Sequence, residues 1–218
     1  MKIILGYILT FGWIFLMLAL TRALKQTKRA DDELSRKIVH ISVAFTWIAM
    51  YFCFGSSFHL VIPPAVMVVL NALSYRYGLF SGMERSDKEK QSPGTVYYAL
   101  SMTVMALWCR IMPEALPCYG MGLFCMALGD GLAPFFGAIQ KGNRRLFGNR
   151  SLYGSLSVFV ICLLVIIVMV SIFALPIGFG EMLLIALGAV VCELVGVRGF
   201  DNLTLPLGVF LLSFAFTL

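Results

Sequence analysis

The sequence predicts an all-α, polytopic membrane protein of about eight transmembrane helices, forming a single integral membrane domain over residues 1–218. Three observations carry this expectation. The chain is 60% hydrophobic and 13% charged, with a mean hydropathy of +0.91, outside the range of soluble globular chains. Apolar runs long enough to cross a bilayer recur from end to end. All of the 17 Lys and Arg residues except Lys2 and Arg110 fall in every second connection between those runs, the pattern of the positive-inside rule.

In chain order the spans read as 3–21, 38–55, 58–75, 95–112, 116–139, 152–175, 180–197 and 203–218. The first opens like a signal peptide, with Lys2 before an apolar run. It ends in a basic cluster with no small-x-small cleavage site, so it reads as an uncleaved span. The connections after the first, third, fifth and seventh spans carry the basic residues, which places them in the cytoplasm and both termini outside. The remaining connections, near Gly55–Ser57, Pro113–Pro117 and Pro176–Gly180, are short and nearly uncharged. The last span is short, which calls for local thinning of the bilayer or a re-entrant path.

Composition also excludes some classes. The net charge of +6 is explained by basic cytoplasmic loops and anionic headgroups, not by nucleic acid. The six cysteines stand singly in apolar segments with no Cys-x-x-Cys spacing, and read as small buried hydrophobes. No P-loop, kinase-type glycine loop or Gly-x-Ser-x-Gly elbow is present. His59 falls at the far membrane face and reads as interfacial.

The unusual polar residues gather at the cytoplasmic ends of spans. Entering the second span, Arg36, Lys37 and His40 are spaced so that His40 shares a helix face with one or both cations. Interfacial anchoring and helix packing give the same spacing. The connection from Arg76 carries mixed charge from Glu84 to Lys90, then the turn at Pro93-Gly94-Thr95, of which Glu84 and Gly94-Thr95 are candidates for function.

The third element is the richest. Asp130 stands between Gly129 and Gly131 inside a membrane-length run, where a carboxylate costs about 2.5–3.5 kcal/mol on insertion scales and so marks a site. Lys141, Arg144, Arg145 and Arg150 follow as a cation cluster without acids, suited to phosphate oxygens. Ser151, Gly154 and Ser155 open the next span, where free N–H groups suit an anion. Glycines in such runs also serve close helix packing. The fourth element has Glu193, a second intramembrane carboxylate, then Asp201 and Asn202 at a helix start. Asp130, Glu193 and Asp201 lie at one membrane level and are the hard oxygen donors that one or two Mg2+ ions take.

The order Arg36-Lys37-x-x-His40, Gly94-Thr95-x-Tyr97-Tyr98, Gly129-Asp130-Gly131-x-Ala133-x-x-x-Gly137, Arg150-Ser151-x-x-Gly154-Ser155, and Glu193 to Asp201-Asn202-x-x-x-Pro206 resembles the polyprenol kinase family. That family includes dolichol kinase, phytol kinase and the CTP-dependent diacylglycerol kinase, and is distantly similar to the phosphatidate cytidylyltransferases. The match covers about residues 34–206. The resemblance implies transfer of a phosphoryl group from CTP, with a divalent cation, to the hydroxyl of a lipid alcohol at the cytoplasmic membrane face. It implies a metal-binding or catalytic Asp130, with Arg144, Arg145, Arg150 and Ser151 on phosphates. His40 is the favoured base, with Lys37 beside it, and Arg36, Gly94, Thr95, Gly129, Gly131, Lys141, Gly154, Ser155 and Asn202 complete the nucleotide site.

The chain departs from the family pattern of Lys-Ser followed by Leu-Glu-Gly-Ser, having Arg150 for the lysine and Tyr153 for the glutamate. Arginine keeps the charge but brings a planar fork. The His-Gly-Gly-x-x-Asp-Arg-x-Asp signature of the cytidylyltransferases is missing, and Gly199-Phe200-Asp201-Asn202 stands in its place. This favours a kinase over a cytidylyltransferase acting on phosphatidate or a polyprenyl phosphate. An ion-coupled transporter is the rival of another class, but the internal repeats typical of transporters are not evident.

Overall fold

The computed structural model describes residues 1–78, 92–139, 145–147, 150–196 and 199–218. Chain contacts divide into two compact units, Met1–Leu116 and Pro117–Leu218.

The first unit holds α1 (Lys2–Gln26), α2 (Asp32–Ala44), α3 (Thr46–Phe54), α4 (Ile62–Tyr77) and α5 (Gly94–Ile111). Ile14, Met67 and Ala99 form a buried cluster joining α1, α4 and α5. A methyl group at Gly6 would run into Cys53 and the Phe54 ring, so the missing side chain lets α1 and α3 approach closely. α2 starts six residues before the apolar run because Asp31 accepts the Leu34 N–H at 2.7 Å and Asp32 and Glu33 occupy the positive first turn. Lys25, in the last turn of α1, pairs with Asp32 at 2.8 Å across the turn between the helices.

α2 and α3 together make one span, Asp32–Phe54, broken at Phe45. The break has a local cause. The hydroxyls of Ser42 and Thr46 donate to the carbonyls of Ile38 and Val43, and the Trp13 indole N–H takes the Ser42 carbonyl at 2.8 Å. Such side-chain competition for backbone carbonyls bends helices. At the α3–α4 connection, His59 Nδ1 lies 2.7 Å from the Tyr7 hydroxyl, which ties α1 to this turn.

The second unit holds α6 (Leu116–Phe124), a π-helical segment (Cys125–Asp130), α7 (Gly131–Ile139), the strands β1 (Arg145–Phe147) and β2 (Arg150–Ser151), and then α8 (Leu152–Phe173), α9 (Phe179–Val195) and α10 (Asp201–Ala215). Tyr119, Met121, Leu123, Met126 and Ala127 are fully buried, so α6 and the π segment form its core. α8 packs on α7, on the π segment and on α9, and α10 packs on α9. Cys192 lies where a side chain at Gly208 would be, and the Thr204 hydroxyl donates to the Cys192 carbonyl, holding α10 against α9.

A helical segment lies over each of the eight expected spans, and among the described residues five are long and apolar enough to cross a membrane: Lys2–Gln26, Asp32–Phe54, Phe58–Tyr77, Pro113–Ala133 and Leu152–Phe173. The short antiparallel pair β1–β2 departs from the all-α expectation, with Arg145 opposite Ser151 and Phe147 opposite Arg150. All six cysteines are free thiols, four of them buried.

Candidate functional site

In the second unit, Asp130 ends the π segment, at the point where the chain resumes as α7. A π turn inside a membrane-length helix is uncommon and is found disproportionately at functional sites, because it re-aims the side chains on either side of it. Neighbours hold the widened turn in place. The Cys162 thiol on α8 reaches the Cys125 carbonyl at 3.6 Å, and the Cys125 thiol reaches the Cys162 carbonyl at 3.8 Å. A Cβ at Gly129 would sit 2.9 Å from the Cys162 sulfur, so this glycine serves the approach of α8. Asp130 is 8% exposed.

Glu193, on the last turn of α9, is 2% exposed and accepts a hydrogen bond of 3.1 Å from Ser155 Oγ on the first turn of α8. Two of the expected site residues are thus brought into direct contact, from helices that begin and end at the same level. Asp201 opens α10 and is 5% exposed. A Cβ at Gly196 would lie 2.7 Å from both the nitrogen and the Cα of Asp201, so only glycine fits beneath this carboxylate. Gly199, at φ +85°, makes the turn into α10. The Asn202 amide donates to the Gly199 carbonyl at 3.0 Å and its backbone N–H to Asp201 Oδ1 at 3.2 Å, so Asn202 braces the turn that carries Asp201.

Ser151 is the N-cap of α8, and its Oγ accepts the Gly154 N–H at 3.1 Å. The expectation that Gly154 offers a free N–H to an anion is therefore corrected, because that N–H is spent on the cap. The strand pair sets the backbone of Arg145 opposite Ser151, and that of Phe147 opposite Arg150, immediately before α8. Lys141 and Arg144 lie outside the described residues, as do Glu84 and the charges up to Lys90.

In the first unit, Arg36 lies 3.9 Å from Glu33, one turn earlier on α2, and Lys37 is buried. The His40 ring stacks on that of Tyr98, with centroids 4.5 Å apart. Gly94 is buried at the start of α5, and the Thr95 carbonyl accepts from the side-chain amide of Asn71 on α4 at 3.0 Å. Asn71 lies outside the sequence motifs, and its signal is an amide inside the apolar run of α4.

Asp130, Glu193 and Asp201 are each buried carboxylates, the hard oxygen donors that Mg2+ prefers. Among the described residues, no group of three or more His, Cys, Asp or Glu side chains is close enough to hold a metal ion. Mg2+ commonly takes only one or two carboxylates and completes its shell with water and substrate phosphates, so the donor chemistry fits.

The chain is 29% identical over 200 residues to a phytol kinase of Synechocystis sp., a similarity that covers 88% of this chain and 83% of that protein. No protein-family model matches the chain, and no solved structure matches it. The similarity extends across both units and supports the family that the order of motifs resembles.

Proposed function

We propose that this chain, a member of the polyprenol and phytol kinase family by that similarity, is a phosphotransferase that phosphorylates the hydroxyl of a membrane lipid alcohol. The observation that carries the chemistry is Asp130, a buried carboxylate ending a π-helical segment in a membrane-length run. A carboxylate kept at such a place against its insertion cost is a functional group by default.

In this reading the donor is CTP. The acceptor oxygen forms a bond to the γ-phosphorus, the bond from that phosphorus to the β,γ-bridging oxygen breaks, CDP leaves, and the hydroxyl proton passes to a base. Phosphoryl transfer asks the protein mainly for positioning and for neutralisation of charge on phosphate oxygens. Asp130, with Glu193 or Asp201, would hold Mg2+, which when bound neutralises phosphate charge. Ser155 and Asn202 keep Glu193 and Asp201 in position. Arg144, Arg145, Arg150 and Lys141 are the proposed phosphate contacts, as are Gly129, Gly131 and Ser151 where the backbone approaches the nucleotide. Arg36, Lys37, Gly94 and Thr95 are proposed for the nucleotide as well, and His40 as acceptor of the hydroxyl proton.

The eight helical segments, taken as spans, and the bias of Lys and Arg support catalysis at the cytoplasmic face with both termini outside. The deciding experiment incubates purified protein with γ-labelled CTP or ATP and a panel of phytol, polyprenols and diacylglycerol. The reading requires label on the lipid and release of CDP. Release of pyrophosphate would instead mark a cytidylyltransferase.

A further inference from the structure

We infer that Asn71 and Tyr98 form a hydroxyl-binding recess in the first unit that receives the alcohol group of the lipid acceptor. The inference rests on the lipid-alcohol kinase reading for the identity of its ligand, and on the geometry below for its existence. Asn71 is 4% exposed and Tyr98 is 5% exposed. The Asn71 amide nitrogen donates to the Thr95 carbonyl, which can only accept, so the orientation of the amide is fixed by chemistry. Its Oδ1 is then left as a buried acceptor with no hydrogen-bond partner among the described residues. The Tyr98 hydroxyl is likewise buried without a hydrogen-bond partner there.

Both side chains lie at the start of α5. Asn71 touches the first turn of α5 at Thr95, and Tyr98 follows Thr95 by three residues on the same face. Long side chains on a helix lean toward its N-terminus, which carries the Tyr98 hydroxyl back toward that same turn. Stacking against His40 fixes the Tyr98 ring.

An orphaned buried polar group costs about 1–3 kcal/mol, so two on adjoining helices imply something that satisfies them. Asn71 Oδ1 requires a donor. An ionised phosphate brings only acceptors and is repelled, and an ammonium would bring a charge that two neutral groups do not balance. A hydroxyl donates to Asn71 Oδ1 and accepts from the Tyr98 hydroxyl, and an alcohol at the end of a hydrocarbon chain suits an otherwise apolar helix surface. Tyr98, three residues beyond Thr95, thus marks where the acceptor is recognised.

The test compares phytol with phytane, the same carbon skeleton without the hydroxyl, by thermal shift of the full-length protein in nanodiscs. Phytol should stabilise the wild-type protein more than phytane does. Tyr98→Phe and Asn71→Leu should abolish that difference while the folded fraction is retained. Should Asn71→Leu not fold, Tyr98→Phe decides, because it removes a single oxygen. In turnover assays Tyr98→Phe should raise the KM for phytol about tenfold and leave the KM for nucleotide unchanged. A phytol-over-phytane difference preserved in Tyr98→Phe, as when the two atoms hold only a buried water, or absent from the wild type, overturns the inference. The binding arm needs no nucleotide. A hydroxyl-dependent shift without any phosphoryl transfer would keep the recess and sink the kinase reading.

Discussion

The two units bury different kinds of polar group. Among the described residues, every buried carboxylate lies in Pro117–Leu218, namely Asp130, Glu193 and Asp201, whereas Met1–Leu116 buries one cation, Lys37, and otherwise neutral hydroxyls and an amide. Their supports differ too. Ser155 donates to Glu193, Asn202 braces the turn at Asp201, and Gly129 and Gly196 make room around the π segment and the start of α10. In the first unit, Asn71 Oδ1 and the Tyr98 hydroxyl lack hydrogen-bond partners among the described residues. A set of positioned acids suits a metal cation, and a set of neutral groups lacking partners suits a neutral ligand. On the proposed reading, that contrast assigns the handling of charge to the second unit and recognition of the alcohol to the first.

Substitutions can break this contrast, and the largest effect is expected at the second unit's acids. Asp130→Asn keeps size and removes charge, so turnover should fall by at least about 10²-fold with folded yield retained. Glu193→Gln should also lower turnover, and its effect should exceed that of Ser155→Ala. Ser155→Ala removes a hydrogen-bond donor from the buried Glu193 carboxylate, which should lower stability by about 1–3 kcal/mol, read as a drop in the midpoint of thermal unfolding. Gly196→Ala forces a methyl against the Asp201 backbone and should cost about 1–3 kcal/mol together with activity, measured in the same unfolding and turnover assays.

The smallest expected effect sharpens the picture at α8. Ser151→Ala removes an N-cap and should destabilise by about 1 kcal/mol. A rise in the KM for nucleotide beyond that loss would give Ser151 a phosphate contact as well as a cap, and an unchanged KM would leave it a cap alone.

Much of the helical frame was legible in the sequence, because long apolar runs report membrane-length helices directly. The carboxylates were legible as well, since an acid in such a run stands out. Less visible were features set by the backbone ladder. Hydrophobic pattern reports which face is apolar but not whether the ladder is bonded i to i+4 or i to i+5, so the π segment before Asp130 was hidden. The break at Phe45 depends on Ser42, Thr46 and the distant Trp13, a contact between helices that local pattern does not carry. The strand pair at Arg145–Ser151 is too short for alternation to register, although Gly148-Asn149 between its strands is a hairpin dipeptide. The cap that occupies the Gly154 N–H depends on the rotamer of Ser151, and Asn71 is a lone amide outside the motifs, so neither role shows in the sequence.

The central claim is that Asp130 serves phosphoryl transfer to a lipid alcohol. Its most direct test is the transfer of label from γ-labelled CTP to phytol by purified wild-type and Asp130→Asn proteins of equal folded yield. Labelled lipid and CDP are expected from the wild type and none above background from the variant. Equal labelling by the two would contradict the claim.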